Sequence, residues 1–286
     1  MSKSTRRSTS KNTNEYGEQT IENPINEILK TKHRLKCKNV KQKHFANLIT
    51  EKEIVISAGP AGVGKSFVAI ARAIELLQNK TNKYNKLIIS KPAIESGEKL
   101  GFLPGDMKEK MEPHVAASID IVDKIIGKSN RTKLEELDVI QIQPLAFIRG
   151  KTIDNAILVM EEVQNMAPEQ VKTLLTRIGE NAKFILSGDL DQSDRYRDVK
   201  QSGLYDAMNR HKNVEEIGFF EFDKEDIVRN PIICKILKNY DTVSNNVPNK
   251  KNQTQTKQKP NKVKSKKINN KYFRKLKIFF KRNFKL

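Results

Sequence analysis

Gly59-Pro60-Ala61-Gly62-Val63-Gly64-Lys65-Ser66 fits the pattern G-x-x-x-x-G-K-[ST] without a mismatch. The flanks matter as much as the match. Glu53-Ile54-Val55-Ile56-Ser57-Ala58 before it is short and β-branched, and predicts a buried strand. Phe67 to Leu77 after it predicts a helix. Strand, glycine-rich loop, helix is the setting in which this motif holds phosphate. Backbone N–H groups of the loop and of the helix N-terminus then face phosphate oxygens. In that reading Gly59, Pro60, Ala61, Gly62, Val63, Gly64, Lys65 and Ser66 form a nucleotide cradle. Lys65 reaches the β- and γ-phosphates, and Ser66 holds Mg²⁺.

The rest of the chain is organised around that loop. Its net charge of +20 is unevenly placed. Residues 241–286 carry 15 Lys/Arg against the single acid Asp241, and residues 1–50 carry 11 against four acids. The stretch between is near neutral. A neutral core flanked by basic arms points to a polyanionic partner, nucleic acid first, with a merely solvating tail as the alternative. There is no run of 18 apolar residues, so no membrane span is expected. Met1 to Gln19 lacks an apolar segment of the secretory kind, and Cys37 and Cys234 make no metal spacing. A cytoplasmic protein with reduced thiols is the expectation.

Strand candidates fall at 53–58, 87–90, 156–160, 183–187 and 215–220. Helical patterns separate or flank them at 36–48, 65–79, 107–127, 168–178, 201–210 and 226–239. Continuous apolar strands alternating with helices predict an α/β fold, a parallel sheet of about five strands with helices on both faces. Three regions follow: a disordered basic arm at 1–35, a core at 36–240, and a basic low-complexity linker and tail at 241–286. In the tail, Phe273, Leu276, Phe280 and Phe284 share one helical face among cations.

A phosphate-binding loop needs an acid for the metal shell and a group that orients water. The run Ala156 to Met160 ends abruptly in Glu161-Glu162-Val163-Gln164-Asn165. Glu161 is assigned to the metal shell and Glu162 to the attacking water. The next strand, Lys183 to Ser187, ends in Gly188-Asp189-Leu190-Asp191-Gln192. Polar residues at a strand's C-terminal end face the ligand crevice of an open α/β sheet. Gln192 has the donor and acceptor needed to sense a γ-phosphate.

The loop, EEVQN and GDLDQ in this order resemble a RecA-like motor core of the superfamily 1 helicase type. Ser90 to Gly105, containing GEKLGFLPG, narrows the match. So do Pro144 to Thr152, Leu175 to Gly179, Ser202 to Leu204 and Asp226 to Pro231. Together they are similar to the PhoH family of phosphate-starvation-inducible ATPases. The resemblance implies a RecA-like P-loop NTPase that uses ATP and Mg²⁺. It also implies Gln42, in Asn39-Val40-Lys41-Gln42, as an adenine reader and Gln164 as a further nucleotide contact. Three positions depart from the family's usual residues: Glu161 stands for Asp, Lys91 for Arg, and Asn230 for His. The longer reach of Glu161 to the metal could slow hydrolysis.

The reading that follows is an ATPase coupled to single-stranded nucleic acid, RNA favoured. An ATP-binding regulatory module with weak turnover and a P-loop kinase of a small molecule stay open beside it. The chain has one core's worth of sequence, whereas a superfamily 1 helicase brings arginines from a second core. A homo-oligomer, a hexamer by the resemblance, would supply them in trans, with Arg229 and Arg177 as candidates.

Overall fold

The structure is a computed structural model that describes residues 28, 34–79, 83–92, 107–148, 150–196, 198–228 and 232. Most of the N-terminal arm, the GEKLGFLPG segment, Arg229, Asn230, Cys234 and the 241–286 tail lie outside the described residues. The arm expected to be disordered as far as residue 35 is ordered where it is described: Ile28 and Leu35 pack against the core, and Leu35 N–H donates to Glu75 Oε1 at 2.8 Å. All described residues fall in one compact unit, Met1–Leu237.

The apolar runs become the strands of one sheet. In chain order these are β1 (Ile54–Ala58), β2 (Lys86–Lys91), β3 (Ile140–Pro144), β4 (Ala156–Met160), β5 (Lys183–Gly188) and β6 (Ile217–Glu221). Their spatial order is β3-β2-β4-β5-β1-β6, and every pairing is parallel. β5 therefore lies between the loop strand β1 and the acid strand β4. β1, β4 and β5 are buried at every residue, which explains why they read as unbroken apolar runs.

Side chains alternate between two cores. Val55, Leu87, Ile89, Ile157, Val159 and Ile185 face one layer of helices. These are α1 (Val40–Glu51), α2 (Lys65–Gln78), α3 (Met107–Ile126) and α4 (Lys128–Glu136), the first contributing Phe45 and Ile49 and the second Ile70 and Ile74. Ile56, Ile88, Leu158, Met160, Phe184 and Leu186 face the other layer, made by α5 (Pro168–Leu175) and α6 (Gly203–Arg210). At the β6 edge Phe45, Phe220 and Phe222 stack as a trio, with ring centroids 4.8–5.4 Å apart.

Six strands replace the five expected. The extra one is β3, Ile-Gln-Ile-Gln-Pro, an edge strand of alternating polarity. The single helix expected at 107–127 stops at Ile126, because Gly127 (φ 85°) turns the chain into α4. The helix expected at 36–48 runs instead from Val40, where the Asn39 side chain accepts from the Gln42 backbone N–H at 2.8 Å. The helix expected at 226–239 does not begin there: Asp226 closes a 3-10 turn, Lys224–Asp226, and Ile227 is extended. Ile232 is helical, and the remaining positions from 229 on lie outside the described residues. Cys37 carries a free thiol whose pKa burial pushes up. Among the described residues no helix is long and apolar enough to cross a membrane.

Lys183 opens β5 at the sheet's N-terminal edge, remote from the loop. It is 3 % exposed, and its ammonium donates to the Lys52 carbonyl. Burial pulls its pKa from 10.5 down to about 8, with the nearby Glu53 charge offsetting part of the fall. A base whose pKa is lower folded than unfolded penalises folding wherever both states are protonated, here below about pH 8. The penalty fades as pH rises from about 8 towards 10.5. Lys183→Met is therefore expected to stabilise the fold by about 2 kcal/mol at pH 7. That advantage over the unmutated chain should shrink steadily by pH 10, as read from urea unfolding of both proteins at each pH.

Candidate nucleotide site

β1 delivers the chain into the loop, and the loop is fastened from behind at three points. Gly59 N–H donates to the Gly188 carbonyl at 3.2 Å, and Val228 N–H donates to the Gly62 carbonyl at 3.1 Å. The buried Gln42 amide donates to the Val63 carbonyl at 2.8 Å and accepts from Lys38 N–H at 2.7 Å. Gly64 adopts φ 89°, and a Cβ there would meet Gln42 Nε2 at 2.7 Å. Backbone conformation and crowding thus both require glycine. α2 begins at the next residue, so its first N–H groups, which have no intrahelical acceptor, open at the loop. Lys65 Nζ lies over the loop, donating to the Gly59 carbonyl at 2.6 Å and to that of Pro60 at 3.0 Å.

The acids come from β4. Glu161 N–H still donates to Ser90 on β2, at 2.9 Å, but its side chain leaves the strand and is only 2 % exposed. Its Oε2 accepts from the Ser118 hydroxyl on α3 and lies 3.4 Å from Lys91 Nζ. Glu162 takes a left-handed conformation, φ 54° and ψ 36°, which is uncommon for a residue with a side chain. That turn sends its carboxylate to the solvent side, where Oε2 accepts from Gln164 Nε2 at 2.6 Å.

Gln164 ties two strand ends together. Besides holding Glu162, its Nε2 donates to the Gln192 carbonyl at 3.2 Å, and its Oε1 accepts from Asp189 N–H at 3.0 Å. Gly188 makes room for it, since a Cβ there would meet Gln164 Oε1 at 2.5 Å. Asp189 had no role assigned from sequence. It is 7 % exposed, its Oδ1 accepts from Asp191 N–H at 3.0 Å, and its Oδ2 has no hydrogen-bond partner among the described residues. Burial raises its pKa, with the Asp191 N–H, the Lys65 charge and the Ala61 N–H opposing. The only signal in the sequence was a Gly-Asp pair closing an apolar run.

Lys65, Ser66, Glu161, Glu162 and Gln192 all line one cleft of about 360 Å³, together with Ala61, Gly62, Gly64, Lys91 and Asp189. Gly59, Pro60 and Val63 belong to the loop but not to that lining, and Val63 faces the core. Gln42 and Gln164 sit behind the lining with their amides engaged, one at the loop and one between the strand ends. Arg177 lines a different cavity, beside Gln170, Thr173 and Leu174, and its Nε is buried without a partner among the described residues. Arg229 lies outside the described residues. Among the described residues no three His, Cys, Asp or Glu cluster as a metal cage. The hydroxyl of Ser66 and the carboxylate of Glu161 are instead a sparse, hard oxygen set. That suits Mg²⁺, which keeps several waters and shares its shell with phosphate.

A glycine-rich loop between a buried strand and a helix, faced by paired carboxylates from the same parallel sheet, defines a RecA-like P-loop NTPase, a nucleotide-binding protein. Within that class the chain belongs to the PhoH-like protein family, which it matches over residues 34–241. A PhoH-like protein of Bacillus subtilis (strain 168) is 38 % identical over 231 residues, covering 81 % of this chain and 71 % of the relative. Protein PhoH of Escherichia coli (strain K12) is 36 % identical over 206 residues, 71 % of this chain and 57 % of the relative. The match to a PhoH-like protein of Synechocystis sp. (strain ATCC 27184 / PCC 6803 / Kazusa) likewise spans 64 % of that relative's length. The large terminase from a thermophilic bacteriophage is a slighter likeness, with TM-score 0.41 and 11 % identity over 70 % of this chain and 49 % of that one.

With both ends of its amide committed to backbone, Gln42 is expected to act through the loop. Gln42→Leu should lower stability by about 1–3 kcal/mol in urea unfolding, the cost of stranding buried polar groups. It should weaken ATP and GTP binding to the same degree. A loss confined to ATP would show instead that the amide reads adenine.

Proposed function

We propose that the chain binds ATP with Mg²⁺ and hydrolyses it, and that turnover is coupled to binding or remodelling single-stranded RNA. The observation that carries this reading is the convergence of Lys65, Ser66, Glu161, Glu162 and Gln192, from three strand ends, on one cleft. The loop N–H groups and Lys65 bind the phosphates, which requires Lys65 to exchange the Gly59 and Pro60 carbonyls for phosphate oxygens. Ser66 and Glu161 hold Mg²⁺, which when bound neutralises charge on the phosphates. Glu162, whose Oε2 is steadied by Gln164, orients the attacking water. Gln192, on the same brace, reports the γ-phosphate. Arg229 or Arg177 of a neighbouring copy completes the charge around the transition state in a homo-oligomer, a hexamer by family likeness. The basic arms supply the attraction for RNA.

A second reading, a nucleotide-binding module with weak turnover, draws on one observation. The Glu161 carboxylate is already paired with Ser118 and Lys91. ATP turnover with and without single-stranded RNA separates the two. Stimulated turnover, absent from Lys65→Ala, is expected. Glu162→Gln should keep ATP affinity in calorimetry and lose at least about 100-fold in turnover. Turnover that stays negligible with RNA, in a chain that binds ATP tightly, would favour the second reading.

Deleting residues 241–286 removes 15 basic residues and one acid. RNA affinity should fall, and the slope of log affinity against log salt should flatten. An unchanged slope in filter binding would make the tail a bystander.

A further inference from the structure

Glu161 is the most enclosed charge of the cleft, and a carboxylate stripped of water must find partners. It finds them on two elements remote in sequence. Ser118, fully buried on α3, donates its hydroxyl to Oε2. Lys91, the last residue of β2, brings its ammonium to within 3.4 Å of the same oxygen. Lys91 is no core residue: it lines the cleft with Lys65 and Ser66, and its side chain is 14 % exposed. In this arrangement an ammonium serves as the cation of the carboxylate that the proposed function assigns to Mg²⁺.

The two roles conflict when nucleotide arrives. A dication brought to the same carboxylate would repel the ammonium at short range and in a partly desolvated wall. Ser118 is a neutral donor and feels no such repulsion, so it can go on orienting the carboxylate. Lys91 cannot stay where it is. Its four-carbon stem is flexible and its charge is a compact point that suits a phosphate oxygen. β2 is the neighbour of β4 on the side away from β1, so Lys91 approaches the cleft from the acid side, opposite the loop that carries Lys65. In the proposed function the terminal phosphate is the one directed at the acids, and so the one that Lys91 would meet from that side.

We infer that Lys91 is a phosphate-binding residue that exchanges Glu161 for the γ-phosphate when a nucleoside triphosphate and Mg²⁺ enter the cleft. The inference rests on the reading of the cleft as a nucleotide site. A diphosphate presents no γ-phosphate, and Lys91 then makes no direct contribution to its binding. The chain thereby carries a second cation for the terminal phosphate in cis, independent of any arginine from a neighbouring copy.

The test is the ratio of triphosphate to diphosphate affinity, measured on the full chain by calorimetry with ADP and a non-hydrolysable ATP analogue at saturating Mg²⁺. Lys91→Met should bind the ATP analogue about tenfold more weakly, the worth of one hydrogen bond to a charged group. Its ADP affinity should stay within about twofold, and Lys91→Arg should restore the ratio by keeping the charge. Lys91→Gln, whose amide can still donate to Glu161, repeats the measurement with less disturbance of the fold. A ratio unchanged in both neutral variants, or affinities for both nucleotides falling together, would overturn the inference and leave Lys91 as a mere counter-ion for Glu161. An unmutated chain that binds neither nucleotide would overturn the nucleotide reading itself.

Discussion

Strands β1, β4 and β5 are buried along their whole length between two layers of helices, so polar chemistry has room only where each strand stops. All six strands run parallel, and their stopping points share one edge. The loop, the acid pair and the Gly188–Gln192 turn are therefore neighbours by construction. The placement of β5 between β1 and β4 is what gathers them from three different strands. Burial fixes the position of the cleft, and the side chains at its edge decide its chemistry.

The loop is held in its conformation by groups that lie outside it. A glycine-rich segment has much conformational freedom to lose, and binding would be weakened by that loss if it fell due with each ligand. Here the ordering is supplied in advance by Gln42, the Gly188 carbonyl and Val228 N–H, three groups far apart in the chain. The loop donors are thus held without any ligand, which, on the proposed function, is the condition for effective electrostatic stabilisation of a phosphate. Lys65 rests on the Gly59 and Pro60 carbonyls, the contacts that the proposed function has it exchange for phosphate oxygens.

How much of this could be read beforehand followed from how local each feature is. The strand–loop–helix unit was legible because motif and flanks are contiguous. Glu161 and Glu162 were legible because an apolar run broke off into two carboxylates. β3 was not, because Gln141 and Gln143 alternate with isoleucines at a half-covered sheet edge and leave no continuous run. The break at Gly127 was hidden by the helical character of both sides. The partners of Glu161 were beyond reach for a simpler reason: Ser118 lies 43 positions away, and nothing in either segment names the other. Gln42 and Gln164 were noticed as residues, but their use as braces depends on tertiary contacts that periodicity does not encode.

The Gln164 amide has a consequence for how this site can vary. One side chain sets the Glu162 carboxylate, the Gln192 backbone and the Asp189 N–H at once, in a space that Gly188 leaves open for it. No change at position 164 can retune one of these groups while sparing the others, and no side chain can be added at 188 without displacing the amide. The ends of β4 and β5 are therefore coupled through one side chain. Substitutions in EEVQN are expected to be non-additive with substitutions in GDLDQ, each motif limiting what the other can accommodate.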